Sequence, residues 1–283
     1  MAFADLHFHS SHSDGKHSVE WLLSQLKKGR NQGLSFAALT DHDGISGFKE
    51  FSATVSEWWK PLCASELSCT FEDPQTKKQR ELHLLVYGLN PEDAELKKYL
   101  EKFKEERVTR FFKICERLSA AGITVDAQAL FEQHKGVLGR PHVADALVLA
   151  GHAKDREDAF NKYLKDHGRF DVPKWRFDLE EAVAYAKRLG CRTSIAHPGQ
   201  YDFRDKTLEY FKSIGVDALE VYHPRHQDSD LRYYQIKTAE LKMMRTGGSD
   251  FHHADSDRLG DSPSIGRRGC PFEEAKVFLE PFL

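Results

Sequence analysis

The sequence has few cysteines, and their arrangement indicates neither a disulfide framework nor a thiolate metal site. They are odd in number and scattered along the chain: Cys63, Cys69, Cys115, Cys191 and Cys270. No pair has the Cys-x-x-Cys spacing that is typical of structural zinc sites. Because secreted proteins stabilised by disulfides use cysteine in pairs, this usage predicts a protein of the reducing cytoplasm.

Long apolar runs and an excess of one charge are also missing. No stretch approaches the roughly 20 apolar residues that span a bilayer, and the opening residues, MAFADLHFH, do not have the pattern of a signal peptide. We therefore expect no membrane partner. The chain has 41 lysines and arginines against 44 aspartates and glutamates, so no global basic field favours double-stranded DNA. A local basic pocket would suffice for a nucleotide or a short RNA, and nothing indicates an obligate protein partner.

Short apolar strands alternate with amphipathic helices over most of the chain. This alternation predicts an α/β fold with a parallel sheet or barrel. Ser18 is the predicted N-cap of the first helix, over 18–33. After Pro91 the strands stop and charged helical segments follow, beginning with 91–121. We predict a barrel domain formed by 1–90 and 176–283, with 91–175 as a helical insertion that caps the active site.

Histidine is abundant, with 15 residues, and it is concentrated where the predicted strands end. Successive side chains of a strand point to opposite faces, so His7 and His9 share one face. The carboxyl ends of barrel strands ring one side of the fold, so groups that are distant in sequence are expected to converge there. A mixture of imidazoles and carboxylates without thiolates favours a catalytic zinc, manganese or iron site. The strand-end groups are His7, His9, Asp41, His42, Glu66, His197, Glu220, His223, Asp250 and His252, and His83 lies within its predicted strand, 81–89.

Six motifs occur in a characteristic order: DLHFHSSHSDG, LTDHD, ASELS, HLLVYG, IAHPG and GGSDFH. Together they resemble the PHP family, the phosphoesterase domain named for polymerase and histidinol phosphatase. The resemblance implies a distorted (β/α)7 barrel with up to three metals in a cleft at the strand ends. It implies a first metal held by His7, His9, Glu66 and Asp250. A second would be held by Asp14, His42 and His252, and Glu66 would bridge to a third held by His83 and His197.

Asp14 indicates a branch of that family. Many members have a histidine where this chain has Asp14. The SDG form, with a long helical insertion after HLLVYG, resembles the nucleoside 3',5'-bisphosphate phosphatases and 5'-3' exoribonucleases linked to the tryptophan operon. A carboxylate in place of an imidazole favours harder ions, so we expect two or three divalent metals, with Mn²⁺ preferred and Zn²⁺ or Fe²⁺ as alternatives.

Metals alone do not hold the remaining phosphate oxygens of a substrate, and an arginine does this well. Arg140 lies in LGRPHVADAL, between a glycine and a proline, and with His142 it is a candidate phosphate clamp from the insertion. The alternative is an ordinary surface arginine. His223 is a candidate to protonate the leaving oxygen or to bind phosphate, or else it supports the metals. Arg225 is a further candidate for substrate binding.

These features predict a metal-dependent phosphoesterase that attacks a nucleotide phosphate with a metal-bridging hydroxide. The substrate would be a 3',5'-bisphosphonucleotide or the 5' end of a short oligoribonucleotide. The alternatives are a monophosphatase of the histidinol phosphate type and an inactive PHP-like binding module. We expect Glu220 to orient His223, because metal-site imidazoles usually donate to a carboxylate. Six histidines are predicted bystanders: His12, His17, His134, His152, His167 and His253.

Overall fold

A computed structural model describes residues 1–133, 138–165, 168–173, 175–255, 257–259 and 262–283. The strands in chain order are β1 (Phe3–Asp5), β2 (Leu34–Ala37), β3 (Ala64–Asp73), β4 (Lys78–Tyr87), β5 (Phe177–Asp178), β6 (Arg192–Ile195), β7 (Ala218–Tyr222), β8 (Met244–Gly247), β9 (Arg258–Leu259), β10 (Ser262–Pro263) and β11 (Cys270–Pro271). The α-helices are α1 (Val19–Arg30), α2 (Phe48–Val55), α3 (Ala94–Ala120), α4 (Ala127–Gln133), α5 (Arg140–Leu149), α6 (Arg156–Ala159), α7 (Leu179–Arg188), α8 (Asp205–Ile214), α9 (Asp228–Glu240) and α10 (Phe272–Leu279). A π-helical turn, Phe160–Leu164, follows α6, and a 3₁₀ turn, Pro198–Tyr201, follows β6.

The chain forms two compact units. The first comprises Met1–Ser11, Gly15–Pro91 and Arg176–Leu283, and the second comprises His12–Asp14 and Glu92–Trp175. Among the described helices, none has both the length and the apolar character needed to cross a membrane.

The strands of the first unit close into a distorted barrel. Its two main sheets have the orders β5-β3-β4-β6-β7-β8 and β11-β1-β2. Single bridges beyond the strand ends pair His42 with Glu66 and Phe8 with Phe251. These bridges join the segment after β2 to β3 and the segment after β1 to the segment after β8, so the small sheet meets the large one at two places. The predicted α/β class is confirmed.

Within the large sheet one strand, β4, runs against the others, and in the small sheet β11 is antiparallel to β1. The pairings β1–β2, β6–β7 and β7–β8 are parallel, but β4 is antiparallel to both β3 and β6. The reason is the hairpin between β3 and β4, whose turn leaves room for only a few residues and cannot accommodate a crossover helix. His83 lies inside β4, opposite Ser68 of β3, as predicted. Glu66 was expected at the carboxyl end of its strand, but β3 continues to Asp73 because it pairs with β4 along its whole length, and Glu66 lies near its start.

The packing of the first unit follows the predicted alternation of buried and polar positions. Leu6 and Phe8 are fully buried in two apolar clusters of the barrel, with Phe36 in one and Phe51 in the other. The hydroxyl of Ser18 accepts a hydrogen bond from the Trp21 N–H at 3.3 Å, which makes it the N-cap of α1 as predicted.

The second unit, taken by itself, is helical. The carboxylate of Asp93 accepts the N–H of Leu96 at 2.7 Å and so begins α3, which ends at Ala120 just before Gly122, where φ is 79°. Phe111 and Leu118 of α3 pack in one apolar cluster with Val143 and Leu147 of α5. The predicted capping role of 91–175 stays a prediction.

Candidate metal centre

His7 and His9 follow β1 on a short extension that pairs with the chain after β8. The His9 N–H donates to the carbonyl of Phe251 at 3.0 Å, and the Asp250 N–H donates to the carbonyl of His7 at 2.7 Å. Both imidazoles are fully buried. This pairing places the two histidines beside Asp250, although more than 240 residues separate them in sequence.

The Nε2 atoms of these imidazoles meet two carboxylate oxygens. Nε2 of His7 lies 3.3 Å from Glu66 Oε2 and 3.3 Å from Asp250 Oδ1. Nε2 of His9 lies 3.2 Å from the same Glu66 oxygen and 3.3 Å from the same Asp250 oxygen. The two Nε2 atoms are themselves 3.2 Å apart.

The protonation of His7 makes this arrangement a cation site. Its Nδ1 lies 2.9 Å from Glu220 Oε1 and 3.1 Å from Oε2, and a carboxylate can only accept, so Nδ1 carries the hydrogen. In the neutral imidazole Nε2 is then an acceptor that faces two further acceptors, the oxygens of Glu66 and Asp250. Acceptors that converge in a buried site fit a divalent cation, and a carboxylate behind a ligand histidine is a common feature of such sites.

Glu66 also contacts further imidazoles, with a different set at each of its two oxygens. Its Oε2 lies 3.1 Å from His42 Nδ1, while its Oε1 lies 2.9 Å from His83 Nδ1 and 3.1 Å from His197 Nε2. One carboxylate therefore presents its two oxygens to different sets of imidazoles. This is the geometry that a carboxylate bridging neighbouring metal ions needs.

A further group lies on the other side of His9. One ring nitrogen each of His9, His42 and His252 lies within 4.8 Å of the others. Nδ1 of His252 lies 2.9 Å from the carbonyl of Asp250, which places its hydrogen on Nδ1 and leaves Nε2 as the acceptor. Asp14, the predicted carboxylate ligand of this group, belongs to the segment assigned to the second unit, and its role stays a prediction.

The charges in this site are strongly coupled. Burial lowers the pKa of His7, but the surrounding carboxylates, with Glu220 first among them, hold that pKa well above its usual value. Without a metal the ring therefore also carries a hydrogen on Nε2, which a metal would displace on binding there. Burial raises the pKa of Glu66, yet the imidazoles, led by His42, hold it well below the usual range. The pKa of Asp250 is lowered in the same way by His7. The carboxylates are therefore ionised, and they supply the negative charge that divalent metals require.

Two of the predicted ligands have backbone angles that are rare outside glycine. His197 has φ 32° and Asp250 has φ 47°. Non-glycine residues in the left-handed region are uncommon and concentrate at functional sites. Both residues direct their side chains at the cluster around Glu66 and His7, which is consistent with a site that the surrounding structure holds in place.

Comparison with known proteins agrees with this geometry. Residues 5–191 match the model of the PHP domain. The chain belongs to the PHP family. It is 29% identical over 259 residues to the 3',5'-nucleoside bisphosphate phosphatase of Chromobacterium violaceum, which covers 89% of this chain and 88% of that protein. It is 27% identical over 253 residues to the 5'-3' exoribonuclease Rnm of Salmonella typhimurium, covering 88% and 84%.

A solved structure is similar over the whole length of this PHP chain. It is described as a metal-dependent phosphoesterase from Bifidobacterium adolescentis, with a TM-score of 0.84 and 25% identity, and it covers 100% of this chain and 97% of its own. The predicted family is thereby confirmed. The imidazoles and carboxylates that cluster in this PHP chain are donors suited to divalent metals.

Next to the predicted metal ligands, the imidazole of His223 has a hydrogen-bond partner at each of its two ring nitrogens. Its Nδ1 accepts the N–H of Arg225 at 3.2 Å, and its Nε2 lies 3.1 Å from Asp250 Oδ2. The imidazole is fully buried. In this state it orients the Asp250 carboxylate, and its predicted roles in proton transfer and substrate binding stay predictions. Arg225 is exposed, with its guanidinium 3.4 Å from Gln200 Oε1.

Glu220 has a different partner from the one expected. Its carboxylate binds Nδ1 of His7 and accepts the N–H of His197 at 2.8 Å, so it orients two predicted ligands instead of His223. Sequence reasoning assigned it to His223 because the two residues are close neighbours on one strand. The side chain points across the barrel, and only the neighbouring strands decide what it meets.

Asp5 is a residue that sequence reasoning missed. Its two carboxylate oxygens accept the N–H groups of Ser249 and Gly266, each at 2.8 Å. It thereby ties the loop that carries Asp250 to the chain beyond β10. Its only signal in the sequence is a charged residue in an otherwise apolar strand.

The candidate clamp residues belong to the second unit. Nη1 of Arg140 donates to the carbonyl of Leu164 at 3.0 Å, and its guanidinium lies over the ring of Phe160. Nδ1 of His142 accepts the N–H of Gly139 at 3.0 Å, which caps α5. Their contact with substrate stays a prediction.

The predicted bystanders have structural contacts where the structure describes them. His17 stacks on Trp21, with ring centroids 3.8 Å apart, and accepts the N–H of Ala254 at 3.2 Å. His152 lies 3.3 Å from the carbonyl of Thr124. His134 and His167 lie outside the described residues.

Proposed function

We propose that this chain is a metal-dependent phosphoesterase that hydrolyses a phosphate of a nucleotide. The candidates are a 3',5'-bisphosphonucleotide and the 5' end of a short oligoribonucleotide. The observation that carries the proposal is Glu66, whose two oxygens face separate groups of imidazoles. The names of the relatives, a nucleoside bisphosphate phosphatase and an exoribonuclease, support the substrate class.

The residues of the barrel would hold two or three divalent metals. Neighbouring metals in such a site activate water and stabilise the charge on a phosphoryl group. Glu220 keeps the hydrogen of His7 on Nδ1, and the His252 hydrogen is held on Nδ1 by the Asp250 carbonyl. These contacts keep ring acceptors available for metals. The donors are nitrogen and oxygen only, and with the carboxylate of Asp14 among them we infer that Mn²⁺ is preferred over Zn²⁺ or Fe²⁺.

The expected partners are small. We infer a nucleotide or short RNA as the substrate, with no double-stranded DNA, no membrane and no obligate protein partner, because the chain carries a net charge of −3 without a global basic excess. A cytoplasmic location is supported by the cysteines, all of which are free thiols in buried positions.

Phosphate release from a panel of substrates tests the proposal. The panel contains adenosine 3',5'-bisphosphate, adenosine monophosphates, a short 5'-phosphorylated RNA and histidinol phosphate, each with Mn²⁺ present. We expect turnover of the bisphosphate or the RNA. Turnover of histidinol phosphate alone would overturn the assignment.

Two variants of β3 connect that turnover to the site. Glu66→Gln removes the shared carboxylate and should abolish activity together with metal binding. Glu72→Gln is the matched control, since Glu72 lies on the same strand but is exposed. Equal activity of the two variants would contradict a role for Glu66.

A further inference from the structure

A small polar cavity lies next to the predicted metal ligands and has no assigned role. Its volume is about 200 Å³, and its lining includes His223, Arg225, Asp250 and Arg268. Asp250 is one of the predicted ligands, and His223 binds it, so the cavity opens beside the metal cluster. A pocket for a whole drug-sized ligand is typically about 300–1,000 Å³. This cavity is therefore suited to one small polar group of a larger molecule.

The carboxylates of this cavity are already engaged. Asp250 faces His7 and His9 with one oxygen and His223 with the other. Asp257, which also lines it, accepts the backbone N–H groups of His252 and His253.

Its arginines are not engaged in this way. Within the part of the chain that the structure describes, the half-buried guanidinium of Arg268 forms no ion pair and no hydrogen bond. Among the described residues, the Arg225 guanidinium contacts only Gln200 Oε1, at 3.4 Å. The cavity thus offers two guanidinium groups that form no ion pair with a described residue, beside carboxylates whose oxygens are engaged elsewhere.

The turn that carries Arg268 is anchored on both sides. Before it, the N–H of Gly266 donates to the buried carboxylate of Asp5 at 2.8 Å. After it, Cys270 pairs with Ala4 of β1. Asp5 also binds the N–H of Ser249, next to Asp250, so one carboxylate fixes both the turn of Arg268 and the loop of a metal ligand. An arginine presented on a backbone held in this way loses little freedom when it binds an anion.

We propose that Arg268, assisted by Arg225, binds a second anionic group of the substrate, the phosphate that is not hydrolysed. A guanidinium presents parallel N–H donors that match phosphate oxygens, and it remains charged at every physiological pH. The inference deepens the proposed function and rests on it. It restricts the preferred substrates to phosphoesters that carry another phosphate within the reach of one nucleotide, namely a bisphosphonucleotide or an RNA end.

The test compares substrates with two phosphates and with one. We would measure kcat/KM for adenosine 3',5'-bisphosphate and for the 3'- and 5'-monophosphates, on the wild type and on Arg268→Ala. Loss of a charge-assisted contact should lower kcat/KM for the bisphosphate by about 10- to 100-fold and leave the monophosphates nearly unchanged. An equal loss on all three substrates, or no loss, would overturn the proposal.

Arg267→Ala is the matched control. This neighbouring arginine donates to Gln32 at 2.6 Å and does not line the cavity. Its substrate preference should equal that of the wild type. If Arg268→Ala unfolds, Arg268→Gln retains most of the side-chain length without the charge, and it should lose the preference to a similar extent.

Calorimetry separates this inference from the proposed function. Binding of adenosine 3',5'-bisphosphate and of the monophosphates would be measured on metal-loaded protein. If the wild type hydrolyses no phosphoester, the proposed function fails. The proposed role of Arg268 is then still supported if the bisphosphate binds more tightly than the monophosphates and this difference is lost in Arg268→Ala. Equal affinities for the bisphosphate and the monophosphates in the wild type would overturn the inference whatever the activity.

Discussion

Glu220→Gln is expected to weaken metal binding although Glu220 is not itself a predicted ligand. The carboxylate accepts from His7 Nδ1 at 2.9 Å and from the His197 N–H at 2.8 Å. A glutamine has one acceptor oxygen and one NH2 group, so the NH2 group must replace either Oε1, 2.9 Å from His7 Nδ1, or Oε2, 2.8 Å from the His197 nitrogen. If its oxygen stays on His197, its amide donates to His7 Nδ1 and moves the His7 hydrogen onto Nε2. That hydrogen would point at Glu66 and Asp250, where the metal has to bind.

The expected size of the effect follows from comparable sites. Replacing a carboxylate that supports a ligand histidine typically lowers metal affinity about 10- to 100-fold, or about 1.4–2.8 kcal/mol. Glu220 is fully buried, so water cannot take over the lost contact, and we expect the upper part of this range.

The assay is a titration of metal-free protein with Mn²⁺ against a competing chelator, followed by activity at saturating Mn²⁺. A positioning role predicts weak affinity with activity that is largely recovered at high metal concentration. Glu274→Gln is the control, because that carboxylate contacts Tyr222 and Arg245. Unchanged affinity in Glu220→Gln would refute the reasoning.

Three further predictions concern stability. Asp73 is buried and accepts hydrogen bonds from Thr207, Gln75, Thr76 and Arg80, so Asp73→Asn should lower the free energy of unfolding by about 1–3 kcal/mol in a urea titration at neutral pH. Burial raises the pKa of Asp73, but these bonds, led by that of Thr207, hold it below the usual aspartate value. The stability that the Asp73 carboxylate contributes is therefore present at a pH above the usual aspartate pKa and is lost as the pH falls through the lowered pKa. If the destabilisation caused by Asp73→Asn does not shrink in acid, this prediction is contradicted. Tyr87→Phe removes a buried hydrogen bond of 2.7 Å to the Leu6 carbonyl and should cost about 1–3 kcal/mol, so an unchanged urea midpoint would count against it. Removal of metal by a chelator should lower the thermal unfolding temperature and Mn²⁺ should restore it, because metal binds the folded site preferentially; a melting temperature indifferent to metal would speak against the assigned cluster.

Much of the fold class could be read from local patterns. Alternating strands and helices, Ser18 as an N-cap and the long charged helix before Gly122 depend on residues close in sequence. The direction of β4 could not be read in this way. Its apolar run is compatible with either direction, and the hairpin with β3 decides it.

For the candidate site, too, the sequence determined one part and the tertiary structure another. Residue chemistry at and near the predicted strand ends selected the imidazoles and carboxylates that the structure brings together around Glu66, although Glu66 and His83 themselves lie within strands. A strand end displays its side chain on a known side of the barrel, so sequence alone determined which kind of groups would meet there.

Only the tertiary structure decided which of those groups touch. Glu220 binds His7 instead of its close neighbour His223, and Asp5 links the Asp250 loop to the turn of Arg268. These contacts join residues more than 200 positions apart, and nothing in the local pattern of either segment encodes the other. The physical reason is that barrel closure places the segment after β1 beside the segment after β8. The ends of the chain thereby become neighbours, and a buried carboxylate binds whichever donors that arrangement provides.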